Sequence, residues 1–351
     1  MHNLKVETFF DLVPKEKYLK FITDSKNKEG KKSCMWDTAS KMFLTKISKY
    51  QEYKKQDINY QMQNLVQHCN NKKKILYINR FLEMLCHFIM FDEAIEIFDV
   101  LKKKIKMSDL VIINYIKSLK VYKNTIFYEN IACKPIVLEM EKIQIKVSKT
   151  LKKINKNKNK NKNLNYLDLC CGDGRKTTLF ASYLDIKNIH GTDIEQWGPY
   201  VKNRKLSFDF KYIKNDKIMY DDQSFDIITC FLSLHHIPNL TNMLNEVYRV
   251  LKPNGIFFII EHDVFNFYDE LLIDVQHKLF SALYDNNMNY VSNPDYIRYF
   301  NFLEWDFIFK NTGKFTFIDS GRFTDVFIST RYDNQFYMIY KRRGKEDKNY
   351  L

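Results

Sequence analysis

Asp168, the glycines at 172 and 174, and Asp193 have the types and spacing to hold a nucleotide. A carboxylate at a strand end can accept both hydroxyls of a ribose, and glycine lets the backbone bend tightly and approach a ligand closely. The stretch Tyr166-Leu-Asp-Leu-Cys-Cys-Gly-Asp-Gly-Arg-Lys-Thr177 reads as an apolar strand, a glycine turn and a helix opening near Lys176. The free N–H groups and positive dipole end of such a helix suit an anion. Asp193 closes the next strand, Asn188-Ile-His-Gly-Thr-Asp193, 19 residues after Gly174. Two further clusters could move protons: His235-His236 and Glu261-His262-Asp263. An imidazole of ordinary pKa, near 6.5, accepts a proton at neutral pH.

Alternating strands and helices must position these groups. Strands are expected at about 165–169, 188–192, 209–213, 225–231 and 256–261, with helices at 175–184, 240–251, 267–284 and 297–310. Two last strands fall at 315–319 and 335–340. This alternation predicts a doubly wound sheet, whose ligands bind beyond the carboxyl ends of the strands. Both histidine-bearing clusters fall at such ends, after the fourth and fifth strands. Asp274 and His277, at i and i+3, are expected on one solvated helix face.

Leu167-Asp-Leu-Cys-Cys-Gly-Asp-Gly174 resembles the first motif of S-adenosylmethionine-dependent methyltransferases with the Rossmann-like fold. Ser224-Phe-Asp-Ile-Ile-Thr-Cys-Phe-Leu-Ser-Leu-His-His236 resembles the fourth motif, and Glu246-Val-Tyr-Arg-Val-Leu-Lys-Pro-Asn-Gly255 the helix and turn before the fifth strand. The pattern is most similar to the type 11 subgroup, over residues 164–342. The resemblance implies an α/β fold, a seven-stranded Rossmann-like sheet ending in an antiparallel strand. It implies that Asp168, Cys170, Gly172, Asp173, Gly174 and Thr177 bind S-adenosylmethionine, with Asp168 toward its amino group. Asp193 would hold the ribose and Ile194 pack on adenine. Asn215 or Asp216 would meet the adenine amino group, and Cys230 and Leu232 would lie beneath the cofactor. Two departures stand out. Cys170-Cys171 replaces the usual small residues, and no adenine-contacting acid can be placed by spacing alone. Thr177 stands where a dinucleotide-binding turn needs its third glycine, which disfavours a nicotinamide cofactor.

Methyl transfer from a sulfonium asks the protein mainly to hold a nucleophile on axis at attack distance. Candidate bases are His235, His236 and His262; Glu261, His262 and Asp263 are expected to line a substrate pocket. No metal is expected. A scaffold that binds cofactor without turning over is the alternative.

The chain of 351 residues carries a net charge of +14, which favours polyanions. RNA therefore ranks first as acceptor and partner, and a small molecule, on the type 11 resemblance, second. The seven cysteines form no CxxC pair, and neither a signal peptide nor a transmembrane-length apolar run is visible. A cytoplasmic location with reduced thiols is expected.

Residues 1–150 read as an all-α helical-hairpin domain, with helices at 35–53, 75–88, 92–101 (Asp92 as N-cap) and about 131–143. Residues 75–109 resemble a pentatricopeptide repeat: Asn79 and Asn114 lie 35 residues apart. In that family Asn79 and Asp109 would occupy base-reading positions. Residues 151–163 alternate Lys and Asn and form a self-repelling linker. The methyltransferase-like region spans 164–342, and 343–351 is a tail.

Overall fold

A computed structural model of the chain describes residues 12, 14, 16–17, 58–69, 75–86, 89–103, 108–118, 164–194, 207–280, 283, 298–322 and 334–344. The helices expected at 35–53 and 131–143 and the Lys/Asn linker lie outside them.

The second half builds β1 (Asn165–Leu169), α5 (Arg175–Tyr183), β2 (Asn188–Asp193), β3 (Asp209–Tyr212), β4 (Phe225–Phe231), α6 (Leu240–Val250) and β5 (Leu251–His262). It continues with α7 (Phe267–Phe280), α8 (Phe302–Asn311), β6 (Phe315–Arg322) and β7 (Gln335–Arg342). Among the described residues, α1 (Ile58–Cys69), α2 (Ile75–Leu85), α3 (Phe91–Lys102) and α4 (Asp109–Ser118) precede them.

The strands form one seven-stranded sheet in the order β3-β2-β1-β4-β5-β7-β6. β1 to β5 run parallel, and β7 runs antiparallel to both β5 and β6. The apolar run Ile256–Ile260 shows why β5 is central. A strand covered on both faces needs no polar side, so its sequence reads as continuous hydrophobics. Its side chains alternate between two cores. Phe257 and Ile259 pack with Val247 of α6 and Trp305 and Phe309 of α8. Ile256, Phe258 and Ile260 pack with Phe180 of α5. Leu169 pairs with Thr192 on one side and Cys230 on the other, so β1 and β4 end together where the strand order reverses. A crevice for ligands opens at such a reversal.

Two local differences from the sequence reading have clear causes. α8 starts at Phe302, not near 297, because Asn301 and Glu304 form a capping box: the Asn301 side chain accepts the Glu304 N–H, and the Glu304 carboxylate accepts the Asn301 N–H. α3 is capped at Met90, whose N–H donates to Glu93, so Asp92 lies inside the first turn.

α7 joins the two halves. Its Leu271, Leu272, Val275 and Leu279 share one core with Met62, Leu65, Phe81 and Leu85 of α1 and α2. Buried polar groups cross the same contact. Lys278 pairs with Asp274 at 3.1 Å, and Gln61 satisfies both ions, donating to Asp274 and accepting from Lys278 at 3.0 Å each. Among the described residues no helix is long and apolar enough to cross a membrane.

Candidate active site

The turn after β1 is an unusual piece of backbone. Cys170, Gly172 and Gly174 all have positive φ, at 57°, 55° and 76°. Gly174 caps α5 and donates its N–H to the Cys171 carbonyl. Asp193, at the end of β2, locks the turn in place: one carboxylate oxygen accepts the Gly172 N–H at 2.9 Å, the other the Ile194 N–H at 2.7 Å. A methyl group built on Gly172 would meet nothing within 4 Å, so the turn leaves open space at its tip.

That space belongs to a cleft of about 200 Å³. Asp168, Cys170, Gly172 and Asp173 line it, as do Arg175, Lys176, Phe231 and Ser233, which the sequence reading did not select. Arg175 and Lys176 follow directly from the turn, since they open α5 and Asp173 anchors Arg175. Phe231 and Ser233 carry no such local signal. The chain turns at Leu232, with φ 55°, and strict strand alternation ends there. Cys230 itself points into the core beneath.

Asp168 is buried and heavily bonded. It accepts from Thr177 and Thr229 at 2.6 Å each, and the Thr229 hydroxyl meets the Tyr166 hydroxyl at 2.8 Å. Burial raises its pKa to about 7 despite these donors. Thr177 therefore serves Asp168 and does not line the cleft. Ile194 lies beside Asp193 and is 61% exposed. Asn215 and Asp216, both at positive φ, make a turn after β3, where Asp216 accepts from Asn239 and Asn242 at the start of α6.

The groups after β4 and β5 converge. His235 directs Nδ1 to Glu261 at 2.7 Å and Nε2 to His277 at 3.3 Å. His277 directs Nδ1 to the Ile273 carbonyl at 2.8 Å, with the Tyr299 hydroxyl 3.1 Å away. The His262 ring lies 5.1 Å from that of His235, and His236 4.1 Å from it. Burial and the neighbouring histidines hold His235 and His236 well below the usual imidazole range, and His277 falls to about 4. Burial raises Glu261 to about 7. His235, His236 and His277 are therefore neutral at pH 7 but reluctant to take a proton. Asp263 has both oxygens engaged, by the Phe302 N–H at 2.8 Å and Arg322 at 2.7 Å, and braces α8 against β6.

Asp274 and His277 are not on a solvated face. α7 is packed on two sides, and the two side chains, only about 60° apart around the helix, are drawn to different neighbours. Asp274 faces Lys278 and Gln61, and His277 faces His235.

Residues 167–259 match a family model described as a methyltransferase domain. Residues 167–259 thus carry a methyltransferase domain, of a kind whose cofactor is S-adenosylmethionine. This methyltransferase domain is 35% identical over 103 residues to a demethylmenaquinone methyltransferase of Lactobacillus johnsonii, covering 27% of this chain and 42% of that protein. It is 33% identical over 114 residues to a sterol 24-C-methyltransferase of Candida albicans, covering 30% of each. The chain thus spans less than half the length of these curated relatives. The crystal structure of YcgJ from Bacillus subtilis aligns with 52% of this chain and 93% of its own, at 17% identity and a TM-score of 0.37. The cleft fits the cofactor on its own terms. The open tip at Gly172 admits a close ligand, and Asp168 offers a carboxyl to a cationic amine.

Proposed function

We propose that the chain transfers a methyl group from S-adenosylmethionine to a small-molecule acceptor. The methyl-transfer part rests on one observation: a glycine turn held open beside Asp168 and bonded to the carboxylate of Asp193. When bound, the cofactor supplies an electrophilic methyl group. Asp168 would face its amino group and Asp193 its ribose, with Ile194 covered by the adenine. Phe231 and Ser233 close the cleft from the end of β4.

Burial supports the acceptor class. His235, Glu261 and His262 are 1%, 1% and 5% exposed, so an acceptor that reaches them must enter the protein. The relatives named as a demethylmenaquinone methyltransferase and a sterol 24-C-methyltransferase point the same way. RNA is the second reading, supported by the net charge of +14 and by Asn79 and Asn114, exposed on α2 and α4.

Full-length protein with labelled cofactor, offered RNA, protein and metabolite fractions side by side, separates these. Label in the metabolite fraction supports the proposal. Label in RNA, with affinity falling steeply as salt rises, replaces it with the second reading. Cofactor binding without product in any fraction indicates a scaffold.

A further inference from the structure

The histidines beyond the cleft pose a problem of lone pairs. A carbonyl oxygen only accepts hydrogen bonds, so Nδ1 of His277 carries a proton toward Ile273. Nδ1 of His235 likewise donates to the Glu261 carboxylate, which also accepts the Leu234 N–H at 2.7 Å. In these tautomers each neutral ring has its lone pair on Nε2. Yet the two Nε2 atoms face each other at 3.3 Å. Two lone pairs at that distance repel unless a proton or a cation lies between them.

A metal ion suits the gap. Zinc binds histidine nitrogen at about 2.0–2.1 Å in tetrahedral geometry, which sets two ligand nitrogens about 3.3–3.4 Å apart. His262 supplies a third nitrogen: one ligand atom from each of His235, His262 and His277 falls within 4.8 Å of the others. Outer partners are also in place. Glu261 behind His235 and the Ile273 carbonyl behind His277 orient the rings as ligands to a metal require. We propose that His235, His262 and His277 bind one divalent transition-metal ion, zinc foremost.

Three imidazoles select nitrogen-preferring metals such as zinc, nickel and copper over calcium or magnesium. The set leaves a fourth coordination position. There an acceptor hydroxyl would lose its proton more readily than to a buried histidine. That last role rests on the methyl-transfer reading; metal binding does not.

The test uses full-length protein stripped with a chelator. Zinc is titrated in competition with a chromophoric chelator, and cobalt(II) is read by its visible spectrum. The expected result is one ion per chain with the spectrum of a tetrahedral, nitrogen-ligated site. His277→Ala should abolish that spectrum, and Glu261→Gln should weaken binding about 10–100-fold. Cofactor affinity, measured in parallel, reports whether each variant is folded and is independent of the metal. Wild-type protein that binds no stoichiometric ion overturns the proposal and leaves a proton shared between the rings. A cobalt spectrum dominated by thiolate bands, unchanged in His277→Ala and His262→Gln, overturns it in favour of the cysteines.

Discussion

Arg80 on α2 and Asp269 on α7 form a buried ion pair at 2.6 Å, with side chains 10% and 3% exposed. The pair ties the N-terminal helices to the helix that carries His277. Removing one partner of a buried pair strands the other charge, at a cost of about 3–5 kcal/mol. Arg80→Met should lower the urea midpoint of the full-length protein accordingly. The double variant Arg80→Met/Asp269→Asn should recover much of the loss. An unchanged midpoint in Arg80→Met would mean that the pair contributes nothing to stability.

Asp193 should matter to the cofactor more than to the fold. Asp193→Ala releases the Gly172 N–H and takes away the carboxylate offered to the ribose. The loss is about 1–3 kcal/mol, or roughly 5–150-fold in affinity. Calorimetry of cofactor binding to folded protein checks it, and an affinity within twofold of wild type would remove Asp193 from the site.

Asp168 should make stability fall as pH rises. Its folded pKa, about 7, lies above the ordinary aspartate value of 3.8. Below pH 4 both states are protonated and no penalty exists. Between about pH 4 and 7 the unfolded chain ionises first, so stability drains away, and above 7 the loss is complete. It is on the order of 4 kcal/mol at 1.36 kcal/mol per pKa unit. Asp168→Asn lacks this titration. The stability of the variant relative to wild type should therefore climb across the window, as read by urea melts at pH 4, 5.5 and 7. A pH-independent difference would contradict the raised pKa.

Two glycines should fail in different ways. Gly172→Ala meets no neighbour but forces a side chain into positive φ, costing about 1–2 kcal/mol, and its methyl intrudes where the cofactor must lie. In Gly191→Ala the new carbon would sit 2.5 Å from Phe208 and 2.8 Å from the Cys171 sulfur, inside the sheet. Overpacking of that kind costs about 1–3 kcal/mol. Thermal melts should register both. Cofactor affinity per folded molecule should drop at least tenfold in Gly172→Ala and change less in Gly191→Ala.

The strands, the glycine turn and Asp193 were legible in the sequence because each is written in neighbouring residues. Short, largely apolar runs mark β1, β4 and β5, and paired glycines mark a turn that must reach positive φ. Those local signals place Asp168, Gly172 and Asp173 at a strand end before any contact is known.

What the sequence by itself determined is therefore the strands of the sheet, the glycine turn at their end and, through the family resemblance, the class of cofactor. Tertiary structure alone decided where α7 lies and what its residues face. Asp274 and His277 are nearly adjacent, yet one is claimed by Gln61 and Lys278 and the other by His235. Tyr166 and Thr229 likewise become partners of one network around Asp168 only because β1 and β4 pair. The physical reason is range. Periodicity encodes which face of an element is apolar, but the identity of a buried polar group's partner depends on which distant element packs there, and desolvation then enforces that pairing.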